Sequence, residues 1–148
     1  MIAKFILRPA EGRDPSTIRN IIIKSRINPT GLDWKRFIVA VTDEDEIIGC
    51  GQIKPHRDGS LELASIAVTS EWHGKGVARA IIERLLEAHK GALYLMCQSS
   101  LGPLYEKFGF VVIQEEQMPK YFRRVSKLAG MAELMRKQGE TLLVMQRG

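Results

Sequence analysis

The stretch LELASIAV, residues 61–68, followed by HGKG at 73–76 and the helical sequence VARAIIERLLEAHK, constrains the fold most. Alternation along a strand puts Glu62, Ala64, Ile66 and Val68 on one face and Leu61, Leu63, Ser65 and Ala67 on the other. Both faces are mostly apolar, so this strand is expected to be central in its sheet and covered on both sides. Behind it, Val77, Ala78, Ile81, Ile82, Leu85 and Leu86 recur with helical spacing, while Glu83, Arg84 and Glu87 fall opposite. The spacing predicts a helix over about 76–90, with Gly91 as its C-cap. A buried strand followed at once by an amphipathic helix calls for a crossover and therefore for some parallel pairing.

The rest of the chain fits that frame. Residues 2–8 read as a strand ended by Pro9, and Asp14-Pro15 reads as an N-cap with proline in the first helical position. Ile18, Ile21, Ile22 and Ser25 give that helix one face. Residues 35–42 and 46–54 read as a hairpin around the acidic turn Asp43–Glu46, and HRDGS at 56–60 as another turn. ALYLMC is a strand; GPLYEKFGF is a short helix with Pro103 in its first turn and Gly109 as its cap; FVVI is a strand. A helix over about 120–137 carries Tyr121, Phe122, Val125, Leu128, Ala129, Ala132 and Met135 on one side and is weakened by Gly130. TLLVMQR is the last strand. The reading is α/β: a single domain, 1–148, with a mixed sheet of about six to seven strands flanked by helices.

Charge and composition exclude more than they select. No run of eighteen apolar residues is present, so no membrane span is expected, and MIAKFILRPAEGRD is charged too early for a secretory signal; a cytoplasmic location is expected. Cys50 and Cys97 have no metal-ligand or framework spacing and read as small buried residues, and no His/Cys/Asp set suggests a metal. The net charge of +5 is compatible with several anionic partners. Lys120, Arg123, Arg124, Lys127, Arg136 and Lys137 crowd the last quarter. Tyr121 and Phe122 beside them lie on the apolar stripe, where packing rather than base stacking is expected, so nucleic acid is not the expected partner.

Two phosphate-binding patterns fail at the glycine turn. A P-loop would need glycine where Thr69 stands and a hydroxyl residue where Gly76 stands. The dinucleotide pattern would need glycine where Arg79 stands. An anion still suits the place, because a helix opening directly behind two glycines offers free N–H groups and a positive dipole end, and Lys75 and Arg79 add charge. A plain loop-to-helix turn is the competing reading.

The string LELASIAVTSEWHGKGVARAIIERLL resembles the central motif of the GNAT superfamily of N-acetyltransferases, in which [Q/R]-x-x-G-x-[G/A] follows a strand ending in a small-x-Val pattern. ILRPAEGRD, EIIGCGQI and LYEKFGF stand where that family has its other motifs, so the resemblance covers roughly residues 3–113; residues 114–140 look like a helical elaboration before the last strand. The resemblance implies a GNAT-like acyl-CoA-binding fold with splayed central strands and acetyl-CoA as cosubstrate. Carried over, Ile66, Ala67 and Val68 would bond the pantetheine arm through backbone groups, and Gly74, Lys75, Gly76, Val77, Ala78 and Arg79 would hold the pyrophosphate. His73 stands where the family has glutamine or arginine, a substitution at the rim of the cradle. Gln98 takes the place of an asparagine that touches the cofactor in many members, keeping the amide on a longer arm. Tyr105 falls at the family's general-acid position, and Glu62, six residues before Val68, where some members place a catalytic glutamate. Packing of a short helix is the alternative for Tyr105, and a hydrogen-bonded structural role the alternative for Glu62. His56 and His89 read as a turn residue and a helix-end residue.

The implied function is acetyl transfer from acetyl-CoA to a primary amine on a small molecule, peptide or protein. A non-catalytic acyl-CoA-binding or regulatory module on the same fold is the other reading, and a homodimer is compatible with both.

Overall fold

The computed structural model describes residues 4–133 and 139–148. Among the described residues, seven strands form one mixed sheet in the order β1-β2-β3-β4-β5-β7-β6, with four α-helices: β1 Ile6–Pro9, α1 Pro15–Lys24, β2 Phe37–Val41, β3 Ile47–Pro55, β4 Leu61–Val68, α2 Val77–Glu87, β5 Leu93–Gln98, α3 Gly102–Glu106, β6 Val111–Val112, α4 Lys120–Glu133 and β7 Leu142–Arg147. β1/β2, β2/β3, β5/β7 and β6/β7 are antiparallel, and β4 runs parallel to β5, with Glu62 opposite Tyr94. The expected parallel pairing is therefore present, and β4 is the fourth strand of seven.

The chain divides into two compact units. The first comprises Met1–Lys54 and Leu63–Lys90. Its core joins Ile18, Ile21 and Ile22 of α1 to Phe37, Val39 and Val41 of β2, with Ile47, Cys50 and Ala67. Burying each such aliphatic side chain stabilises the fold by roughly 1.5–3 kcal/mol. On α2, Val77, Ile81, Ile82, Leu85 and Leu86 are buried as the spacing requires. The helix can sit this close to β3 because Gly49 and Gly51 face it: a Cβ there would come within 2.8 Å of Val77 and 2.7 Å of Ile81. The second unit comprises Pro55–Glu62 and Gly91–Gly148, and packs Phe122 and Met118 with Ile113 and Val144. Gly109 turns the chain at φ +91, and Arg147 donates to the Phe108 carbonyl at 2.9 Å, tying that turn to β7.

Several boundaries differ from expectation for physical reasons. Pro9 lies within β1 opposite Ile38, tolerated because β1 is an edge strand whose outer side needs no donor. Asp14 holds the N-cap position but its side chain does not cap the helix; its carboxylate accepts from Arg8 (2.7 Å) and from the Glu11 N–H (2.7 Å). Helix α2 stops at Glu87, closed by the Ala88 N–H on the Arg84 carbonyl, so Gly91 is not its cap. β4 is central but not fully covered, since Ala64, Ser65, Ile66 and Val68 are half-buried. On α4, Phe122 is buried while Leu128 is exposed. The Met135, Arg136 and Lys137 end of that predicted helix lies outside the described residues.

Candidate active site

In the first unit, β4 ends at Val68 and a short 3-10 turn, Ser70–Trp72, leads to His73. Gly74 and Gly76 then adopt φ of +75 and +82, the left-handed region that side chains disfavour, with nothing within 4 Å of where a Cβ would stand. Two left-handed glycines around Lys75 leave the backbone bare on its outer side. Gly76 is the N-cap of α2 and receives no side-chain cap, so the amides of Val77, Ala78 and Arg79 precede the first helical bond, from Ala80 N–H to the Gly76 carbonyl. The turn is thus an open row of N–H donors at a positive helix end.

The side chains expected to flank it are oriented as follows. His73 is exposed and its Nε2 lies 2.9 Å from the Val68 carbonyl, closing the loop from strand end to glycine turn; a carbonyl only accepts, so this nitrogen carries the hydrogen. Lys75 Nζ sits 5.2 Å from the Trp72 ring centroid, a cation–π contact that keeps its charge beside the turn. Arg79 is engaged along the helix with Glu83 at 3.0 Å. Next to this loop lies a cavity of about 560 Å³ lined by Ile66, Ala67, Val68, Thr69, Ser70, Glu71 and His73 from the strand end, and by Thr17, Asn20, Ile21, Lys24 and Ser25 from α1. Its volume is in the range of small-molecule sites. Thr69, one of the lining residues, has a buried Oγ1 with no hydrogen-bond partner among the described residues. The resemblance implies a cleft built in part from the first helix and loop, but no motif marks the individual α1 residues that line it.

Ser65 is the strained point of β4, with φ +59 inside a strand. Such a conformation costs about 1–3 kcal/mol and persists where neighbours hold it. Gln52, fully buried on β3, donates from Nε2 to Ser65 Oγ at 2.9 Å and accepts from Arg36 Nε at 3.3 Å. A buried amide on an otherwise apolar strand was the sequence signal for this support.

The second unit carries the titratable candidates. Tyr105 lies on α3, its ring edge-on to Phe110 at 6.2 Å, and burial, with Cys97 nearby, pushes its hydroxyl up to about 12. Glu140 accepts from Ser99 Oγ and the Ser100 N–H, both at 3.3 Å, at the start of the helical segment bearing Tyr105. Glu62 is buried, with Oε1 2.8 Å from His56 Nε2; His56 is therefore a partner of the glutamate and not a plain turn residue. Gln98 ends β5 and is exposed. Burial pushes the thiols of Cys50 and Cys97 up to about 12 and about 11, so both are inert at neutral pH. Among the described residues no group of three or more His, Cys, Asp or Glu is placed to hold a metal, and no helix is long and apolar enough to cross a membrane.

No curated protein matches the chain in sequence. Among solved structures, N-acetylglutamate synthase from Neisseria gonorrhoeae, crystallised with coenzyme A and N-acetyl-glutamate, is similar with a TM-score of 0.70 at 16% identity, covering 100% of this chain and 36% of that one. This chain spans little more than a third of that protein's length. Rv2747 from Mycobacterium tuberculosis, crystallised with CoA, gives a TM-score of 0.68 at 19% identity over 94% of this chain and 97% of that one. Escherichia coli ElaA gives 0.67 at 14% identity over 99% and 100%. At such identities these likenesses carry the fold alone. The acetyltransferase (GNAT) domain model matches residues 33–112, from the approach to β2 through the glycine turn and α2 to β6. Because that match covers more than half of it, the chain belongs to the GNAT family of acetyltransferases.

Proposed function

We propose that this protein transfers an acetyl group from acetyl-CoA directly to a primary amine. The observation that carries the reading is the bare amide row at Gly74–Arg79 beside the cavity lined by the end of β4 and by α1. The amides of Val77, Ala78 and Arg79 suit a pyrophosphate, with Lys75 adding charge. Ile66, Ala67 and Val68 would bond the pantetheine arm through their backbone, and the half-buried state of Ile66 and Val68 is consistent with that. Gln98 would contact the cofactor from the end of β5.

Acetyl-CoA supplies an activated acyl group on a thiol leaving group. Glu62 takes one proton from the acceptor's ammonium, leaving the nitrogen lone pair free to attack the thioester carbon. The C–N bond forms and the C–S bond breaks; Tyr105 gives its hydroxyl proton to the departing sulfur and regains one from the nitrogen as the amide forms. Glu62 releases the first proton to solvent, so each turnover yields the amide, free CoA thiol and one proton. Proton transfer by a positioned side chain contributes about 10²–10⁴-fold.

The neighbouring N-acetylglutamate synthase holds an N-acetyl amino acid, which supports an amino-acid-like amine as one acceptor class to test. The deciding experiment follows CoA thiol release from acetyl-CoA across panels of amino acids, polyamines and lysine or N-terminal peptides. Turnover with one amine class supports the reading. Acetyl-CoA binding with no turnover on any panel supports instead a non-catalytic acyl-CoA-binding module.

A further inference from the structure

The carboxylate of Glu62 is held by a built neighbourhood within the second unit. The β3–β4 turn closes with His56 N–H on the Ser60 carbonyl and Gly59 N–H on the His56 carbonyl, both at 3.0 Å, and Gly59 at φ +89. This turn swings the imidazole back so that Nε2 lies 2.8 Å from Glu62 Oε1, with side-chain exposures of only 7% for His56 and 9% for Glu62. The ring is fixed on two further sides. Tyr121 stacks on it at 3.6 Å and 17°, and Phe122 meets it edge-on at 5.5 Å. Asp58 accepts the Tyr121 N–H at 2.9 Å, anchoring the first turn of α4 over the stack. A turn that served packing alone would do as well with apolar residues of the same volume, since a buried polar pair brings little net stability over an apolar one.

We infer that His56 is the positioning residue of the general base, holding Glu62 Oε1 in one orientation and favouring the ionised carboxylate by donating to it, with Tyr121 as the plate that keeps the imidazole in line. The inference rests on Glu62 being the base. A carboxylate accepts only, so Nε2 carries hydrogen whether the ring is neutral or charged. Hydrogen bonding to the charged form offsets the burial that would otherwise drive the carboxyl to its neutral, non-basic state. Among the described residues, the titratable groups around the pair include Asp58 on the turn, Tyr121 on α4 and Tyr94 opposite Glu62 on β5. Burial would raise Asp58, but its bonds from Ser60 and Tyr121 outweigh that and keep it below the ordinary carboxylate range, a negative charge near the imidazole. Burial, then Glu62, push the Tyr121 hydroxyl upward, so it stays neutral. His56 forms and breaks no bond to substrate; the ammonium proton goes to Glu62.

The test is a carbon-13 NMR titration of the Glu62 side-chain carboxyl in the full chain, for the parent, His56→Phe and His56→Gln. His56→Phe keeps the stack on Tyr121 and removes the donor; His56→Gln keeps an N–H donor. The expected result is a midpoint about one pH unit or more higher in His56→Phe, a tenfold change in protonation at fixed pH, with His56→Gln returning toward the parent. Equal midpoints in all three proteins overturn the inference. If His56→Phe does not fold, a His56→Gln midpoint near the parent's supports the inference, and one as high as expected for loss of the donor overturns it. Failure of the base assignment reads separately: Glu62→Gln would then leave turnover and its pH profile unchanged, whatever the titration gives.

Discussion

Tyr105 carries its proton throughout the neutral range, because burial, with Cys97 adding to it, pushes the hydroxyl up to about 12. It is available as a donor wherever the protein is folded and active, and its titration sets no alkaline limb below about pH 11. Tyr105→Phe is expected to lower kcat about 100-fold while leaving the Kd for acetyl-CoA within about twofold; steady-state kinetics and calorimetry check both. A variant as fast as the parent removes Tyr105 from the acid role. At this scale legibility depended on whether a residue's task is written in its own type. Gly74 and Gly76 were readable because a left-handed backbone demands glycine. The pairing of His56 with Glu62 was not, since a turn joins two residues six apart and no periodicity reports it. Ser65 was hidden for a similar reason: the side chain that bonds it at φ +59 is Gln52, thirteen residues away.

Among the elements, β4 depends on β3 for its irregular shape. Gln52→Leu removes the donor to Ser65 and the acceptor for Arg36 and is expected to cost about 2–3 kcal/mol in urea unfolding. It should also weaken acetyl-CoA binding, because the strand end at 66–68 would relax toward a regular pleat; unchanged affinity would separate the strain from the site. The start of α1 gives a pH-dependent case. The hydrogen bond from Arg8 holds the Asp14 carboxyl below its ordinary range despite burial. The folded value is the lower one, so this contribution is complete above the unfolded value near 3.9 and is lost as pH falls through the folded one. Asp14→Asn should therefore cost about 2 kcal/mol at pH 7, and the gap to the parent should narrow below about pH 4. A constant gap would show that the pair does not govern the effect. Helix α2 was legible because five buried apolar residues repeat along one face. Its end was not, since Ala88 can close a helix without leaving the right-handed region. Leu128 shows the converse, an apolar residue on the expected stripe that stays in solvent.

At the scale of the whole molecule, a sheet of six to seven strands with some parallel pairing was readable, because a strand apolar on both faces followed by a helix calls for a crossover, and the family was readable from the motif at residues 61–86. Which residues α1 brings to the cavity was not readable, because Thr17, Asn20 and Lys24 are ordinary exposed residues of an amphipathic helix until the chain folds. The acceptor remains the property least encoded in local pattern, since no motif marks the residues that would face it. The central claim is that the amides at Gly74–Arg79 hold acetyl-CoA. Isothermal titration of acetyl-CoA into the parent and into Gly76→Val, with thermal melts to confirm that both are folded, tests it most directly. The account expects saturable binding by the parent and a loss of at least about tenfold in affinity for the variant, whose side chain would stand in the opening over the donors. No binding by the parent, or equal binding by a folded variant, would contradict it.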